Sequence, residues 1–182
     1  MTNHIRIALA GVMLSAGFAG AQPPRPIELG VDAAVTIGLG DNSVTVVDIP
    51  AQAFRAGFFL NDRISLEPKF GLTTISGGGD TFTSYLAELG LLLHFYRARM
   101  RADRYPYPSP LSAFYVRPFV GVLGTSAEGP NITNGRVGAG LGMKVPLANR
   151  LASRFEANFA HVFGDFDSNE IGLLAGLSFF TR

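Results

Sequence analysis

The chain has 182 residues, a formal net charge of +1 and no cysteine. That length holds one domain, with or without a leader. The near-zero charge argues against a nucleic-acid or polyanion binder. Without thiols the chain has no disulfide, thiolate metal site or lipoprotein cysteine. Apolar residues make up 47% of it and mean hydropathy is +0.25, yet no run of about 18 apolar residues follows residue 21. Such a chain has a large soluble core or forms a membrane barrel.

Residues 1–21 read as an export signal. His4 and Arg6 make a short basic start, Ile7 to Phe18 an apolar core, and Ala19-Gly20-Ala21 a small-x-small cleavage site, an order that a short buried helix would not require. The mature chain is expected to begin at Gln22, beyond the inner membrane.

The first strand spans Ile27 to Gly40. Ile27, Leu29, Val31, Ala33, Val35, Ile37 and Leu39 share one face, against Glu28, Gly30, Asp32, Ala34, Thr36, Gly38 and Gly40 on the other. Side chains on a strand alternate between faces, so one face is apolar and one polar, which a soluble sheet could also show. Asp41-Asn42-Ser43 is turn chemistry, and Ser43 to Ala51, with Asp48 and Pro50, reads as a loop with a frayed strand. The second strand is Gln52 to Leu60, with Phe54, Ala56 and Phe58 opposite Arg55 and Gly57. Asn61-Asp62-Arg63 reverses the chain. In the third strand, Ile64 to Thr74, the apolar face holds Ile64, Leu66, Pro68, Phe70 and Leu72, the other Ser65, Glu67, Lys69, Gly71 and Thr73.

Ile75 to Asp80, with three glycines, reads as a loop. The fourth strand, Thr83 to Tyr96, sets Tyr85, Ala87, Leu89, Leu91, Leu93 and Phe95 outward and Ser84, Leu86, Glu88, Gly90, Leu92 and His94 inward. YLAELGLLLHFY also fits an amphipathic helix. Arg97 to Pro110 is a long connection. The fifth strand, Ala113 to Gly124, opposes Phe114, Val116, Pro118, Val120 and Val122 to Tyr115, Arg117, Phe119 and Gly121, and a polar loop runs from Thr125 to Asn134. The sixth, Gly135 to Val145, opposes Val137, Ala139, Leu141 and Met143 to Arg136, Gly138, Gly140, Gly142 and Lys144. Pro146 to Arg150 turns. The seventh, Leu151 to Gly164, sets Leu151, Phe155, Ala157, Phe159 and Phe163 against Arg154, Glu156, Asn158 and Ala160. After Asp165 to Asn169 the eighth runs to Phe180, with Ile171, Leu173, Ala175, Leu177 and Phe179 against Glu170, Gly172, Leu174, Gly176 and Ser178.

These strands are long against a globular mode of about 5–6 residues, and tilted strands of about 9–11 residues cross a bilayer. Even strand number, alternation and no spanning helix describe an all-β, eight-stranded, antiparallel up-and-down transmembrane β-barrel preceded by a signal peptide. The expected division is a signal peptide at 1–21 and an outer-membrane barrel domain at 22–182, with both termini of the barrel on the periplasmic side. The charged face should look inward: Glu28, Asp32, Glu67, Glu88, Glu156 and Glu170 balance Arg55, Lys69, Arg117, Arg136, Lys144 and Arg154. Glycines within the strands share that face, leaving room for long side chains in a lumen barely wide enough for them. Buried charges are tolerable when paired, and Arg55 with Glu67, on neighbouring strands, is the first expected pair. Pro68 and Pro118 each remove a ladder donor, so bulges are expected there.

The signal, the eight alternating strands and the closing LLAGLSFFTR (Leu173 to Arg182) resemble the small eight-stranded outer-membrane β-barrel superfamily, of the OmpA transmembrane-domain and OmpX type. LEPKFGL (Leu66 to Leu72) and VRPFVGV (Val116 to Val122) look like equivalent upward strands. Family members often end on the aromatic, whereas Thr181-Arg182 follow Phe180 here. The resemblance implies an outer-membrane location, contact with lipids and lipopolysaccharide, assembly by the barrel-assembly machinery acting on the last strand, and a monomer. It is specific for architecture rather than activity.

No catalytic, cofactor or metal site emerges from the motifs. Lipid A deacylases of similar size use a His-x-Ser pair, but His161-Val162-Phe163 lacks the serine, and His94 reads as a lumen or rim residue. Asp165-Phe166-Asp167-Ser168-Asn169 starts like a calcium loop, but Glu170 replaces its glycine and Gly176 its bidentate Glu. The glycines of 138–142 open no helix, so they form no dinucleotide fingerprint, and Asn131-Ile132-Thr133 is a glycosylation triplet by composition only. Outer loops carry Asp41, Asp48, Asp80, Glu128, Asp165 and Asp167, whereas the periplasmic side holds Arg25, Arg63, Arg97, Arg99, Arg101, Arg104, Arg150 and Arg182 against Asp62 and Asp103. The arginines suit anionic headgroups, and the acidic loops suit divalent cations between lipopolysaccharide phosphates. The expected function is non-enzymatic, in envelope integrity or surface interaction through the loops. The alternatives are a narrow passive channel and a lipid A-modifying enzyme.

Overall fold

The computed structural model describes residues 26–39, 45–77, 80–98, 112–126, 131–165 and 167–181. The expected signal peptide, Gly40, the Asp41-Asn42-Ser43 turn, and Arg25, Arg99, Arg101, Asp103, Arg104, Glu128 and Arg182 lie outside these residues. The strands are β1 (Ile27–Leu39), β2 (Thr45–Phe59), β3 (Ile64–Gly77), β4 (Asp80–Ala98), β5 (Ser112–Ser126), β6 (Ile132–Ala148), β7 (Leu151–Gly164) and β8 (Ser168–Phe180). Each pairs antiparallel with the next, and β1 closes on β8 from Glu28↔Phe180 to Leu39↔Asn169. Closure leaves no unpaired edge.

Three sequence readings change, and the strand reading of YLAELGLLLHFY holds over its helical alternative. The stretch 45–51, read as part of a loop with a frayed strand, belongs to β2, where Ile37↔Thr45 through Ala34↔Asp48 continue the ladder. Gly77 pairs with Asp80, so the glycine-rich loop shrinks to a hairpin tip. YLAELGLLLHFY is strand, held on both sides by β3 and β5; two ladders outweigh any local helical preference. Pro68 and Pro118 carry no bulge: the register is unchanged across Pro68↔Leu89 and Pro118↔Ala139. A residue within a strand sends its N–H to one neighbour only, so proline forfeits a bond without inserting a residue. The β2–β3 and β4–β5 ladders resume in the same register beyond each proline. Register shifts fall instead between Val31 and Ala34, opposite the part of β2 that contains Pro50, between His94 and Tyr96, and between Pro146 and Ala148.

The turn chemistry is local. Asn61 Oδ1 accepts the backbone N–H groups of Arg63 at 2.7 Å and Ile64 at 2.9 Å, closing the β2–β3 reversal as an Asx turn. The β6–β7 turn contains Arg150 at φ 65°, the left-handed region that non-glycine residues seldom occupy.

Polarity is inverted relative to a soluble barrel. Phe54 is 74% exposed, Leu72 64% and Leu141 59%, whereas Arg55, Glu67, Arg117 and Arg154 are at most 2% exposed. Phe58, Phe95, Phe114 and Phe179 face outward near the strand ends that lie beside the chain's first and last described residues. Inside, glycine makes room for charge. A Cβ on Gly30 would fall on the Arg55 guanidinium, one on Gly176 on the Asp32 carboxylate, and one on Gly142 on the Tyr115 phenol. Gly142→Val is therefore expected to push Tyr115 aside and to lower stability by about 1–3 kcal/mol, read as an earlier urea midpoint, with Ala139→Val on the outward face as a control that changes little.

Candidate functional site

The twelve charges assigned to the lumen come from all eight strands: Glu28 and Asp32 on β1, Arg55 on β2, Glu67 and Lys69 on β3, Glu88 on β4, Arg117 on β5, Arg136 and Lys144 on β6, Arg154 and Glu156 on β7, and Glu170 on β8. Ten are buried, and Arg136 and Glu170, toward the end opposite the termini, are half-buried. Strand parity places them: residues two apart share a face, so Glu28 with Asp32, Glu67 with Lys69, and Arg154 with Glu156 line one surface.

Eleven of them form one continuous chain of ion pairs. Asp32 receives Arg55 Nε at 3.0 Å, and the Nη1 of Arg55 reaches Glu28 at 2.7 Å. Lys144 holds the other oxygen of Glu28. Arg55 also approaches Glu67 at 3.5 Å, and Glu67 is bonded more closely by Arg154. Arg154 continues to Glu156 at 2.6 Å, which receives Arg117 at 2.7 Å. Arg117 donates to Glu88, Glu88 receives Arg136 at 3.2 Å, and Arg136 reaches Glu170 at 3.4 Å. The expected Arg55–Glu67 contact thus exists, but it is the longest of Arg55's three ion pairs. Arg154, on the far side of the lumen, is the nearer partner because a closed barrel brings opposite strands within one side-chain length of each other.

Two participants escaped the sequence reading. The Tyr115 hydroxyl donates to Glu156 at 2.9 Å and accepts from Arg154 Nε at 2.6 Å, and the Ser178 hydroxyl accepts from Arg55 at 2.8 Å. Their inward parity was legible, and their neutral side chains gave no reason to join them to the charges. Each charge of the ion chain has at least one partner, with Glu67 Oε1 and Arg136 Nε left unbonded, and this matters because a charge without partners in a dry interior costs several kcal/mol.

Arg154 lies 4.9 Å from the Tyr115 ring centre and Arg117 4.5 Å from that of Phe119, within cation–π range. Lys144 lies 5.8 Å from the ring of Phe59 and 5.5 Å from that of Tyr115. His94 packs against the same two rings, 5.9 Å from each. This end of the lumen is a plug of ions and rings. Toward the other end the lumen widens into a cavity of about 270 Å³ whose lining includes Lys69, Glu88, Arg117, Arg136 and Glu170.

The remaining motif residues separate. His161 is on the outward face, stacked on Phe163 and 3.2 Å from Asn169 Oδ1. The carboxylate of Asp167 is 3.7 Å from it. Asp165 accepts the backbone N–H of Thr133 at 3.0 Å, tying the β7–β8 connection to β6. Among the described residues no three metal-ligating side chains converge.

The solved neisserial surface protein A has a similar structure, with a TM-score of 0.58 at 14% identity, covering 84% of this chain and 96% of that one. The N-terminal barrel domain of OprF from Pseudomonas aeruginosa matches at 18% identity and a TM-score of 0.48, over 87% of this chain and 100% of its own. Ail, the attachment invasion locus protein of Yersinia pestis, matches at 10% identity and a TM-score of 0.45, over 87% and 100%. No protein-family model and no curated protein matches the sequence. The continuous ladder, the apolar exterior and the likeness to the neisserial barrel lead to one statement: this chain has the fold of the small eight-stranded outer-membrane β-barrels.

Proposed function

We propose that the protein is an exported, non-enzymatic component of the outer membrane, acting in envelope integrity or surface interaction through the connections at the end opposite its termini. The observation that carries this reading is the inverted polarity: large apolar side chains cover the outer surface while paired ions fill the lumen. An apolar surface of this extent calls for a partner of matching polarity, and a closed barrel with an outward apolar band is suited to lipid. On this reading residues 1–21 are removed during export and residues 22–182 form the barrel. The barrel-assembly machinery engages the strand ending at Phe180, and the mature protein is a monomer among outer-membrane lipids and lipopolysaccharide.

The test is fractionation of cells producing the full chain. The protein is expected with outer-membrane markers, beginning at Gln22, and migrating faster on gels when unheated than when boiled. Recovery in the soluble fraction with heat-independent migration would remove the proposal. The ion-filled half of the lumen disfavours a channel, and planar bilayers are expected to show no steady conductance. Mass spectrometry of lipid A with and without the protein should give identical species.

A further inference from the structure

Lys69 stands apart from the chain of ions. It is 8% exposed and lines the wide half of the lumen, yet among the described residues its ammonium makes no hydrogen bond or ion pair. The carboxylates around Lys69 are Glu88, directly across the ladder, Asp32 and Glu156, and each is bonded by arginine. Glu88 is held by Arg117 and Arg136, Asp32 by Arg55, and Glu156 by Arg117 and Arg154, while Glu170 on the cavity wall is held by Arg136. The cavity wall therefore carries three cations, Lys69, Arg117 and Arg136, against two carboxylates, Glu88 and Glu170. Asn158 adds an amide whose buried Oδ1 has no partner; a half-turn of that amide offers an N–H instead. A buried ammonium without hydrogen bonds is costly, and the half-open cavity that Lys69 lines gives an anion somewhere to bond.

We propose that the wide half of the lumen is a binding site for a small free oxyanion, phosphate-sized or smaller, with Lys69 supplying the charge and Asn158 a second hydrogen bond. The barrel wall separates this space from the surrounding bilayer, so the occupant is a solute rather than a lipid headgroup. The site is independent of the role proposed above, since a barrel serving the envelope through its loops needs no lumen ligand.

Inorganic phosphate is the probe, titrated into the purified barrel in zwitterionic micelles at constant ionic strength, with chloride as the compensating ion. Lys69 and Lys144 are the chain's two lysines, so ¹⁵N-lysine labelling gives two side-chain signals. Phosphate is expected to move the Lys69 signal along a saturating curve while that of Lys144, locked to Glu28, stays in place. By calorimetry, Lys69→Met should weaken binding at least tenfold. Arg63→Gln, in the exposed β2–β3 turn, should leave it unchanged. A linear, unsaturable shift, equal movement of both lysines, or unaltered affinity in Lys69→Met would overturn the proposal. The signal from the unmutated barrel keeps the test decisive if Lys69→Met does not fold.

Discussion

Arg55→Met is expected to lower the unfolding free energy of the barrel in lipid vesicles by about 3–5 kcal/mol, the cost of breaking a buried ion pair from one side. The guanidinium bonds Asp32, Glu28, Glu67 and Ser178 at once. Removing it does not strand these partners equally. Glu28 keeps Lys144 and Glu67 keeps Arg154, but among the described residues Asp32 has no other ion pair. The loss should therefore concentrate on Asp32, and the double variant Arg55→Met/Asp32→Asn should recover most of it. Urea titrations followed by the heat-sensitive gel shift give both numbers. If the double variant is as unstable as the single one, the ion chain is not what holds the lumen together.

A charge on the other face tests the complementary claim. Leu141 lies in mid-β6 with its side chain 59% exposed on the outer surface. In a lipid-facing barrel Leu141→Arg should cost about 2–4 kcal/mol near the bilayer midplane, and Leu147→Arg, toward the strand end, about 0–1 kcal/mol. On a water-facing surface both substitutions would fall within about 0.5 kcal/mol of neutral. Refolding yield and urea midpoint in phospholipid vesicles separate these outcomes. Equal, negligible effects at the two positions would mean that the apolar surface meets something other than a bilayer.

The outward and inward faces were legible in the sequence because parity alone sets them. Leu29, Phe70, Phe159 and Leu173 look out, and Glu28, Lys69, Asn158 and Gly172 look in. Strand ends were less legible. The start of β2 at Thr45 and the Gly77–Asp80 pairing extend into stretches whose Asp, Pro and Gly content reads as turn, since a neighbouring ladder can hold extended backbone that its own residues do not favour. Proline misled in the opposite sense. Pro68 and Pro118 suggested bulges, but the missing N–H of each faces one neighbour, and the ladder on the other side keeps its register.

The period-two pattern by itself determined the strand count, the two faces and the set of ions sealed within, because in a β-strand the direction of a side chain follows from its position in the chain. Which ion meets which was decided only by closure. Once β1 pairs with β8, strands far apart in sequence face each other across a lumen one side chain wide. Glu67 then finds Arg154, 87 residues away, at a shorter distance than Arg55 on the adjacent strand. The same closure leaves Lys69 on the wall of the wide half of the lumen, outside the chain of ion pairs, a placement that no spacing along the chain encodes.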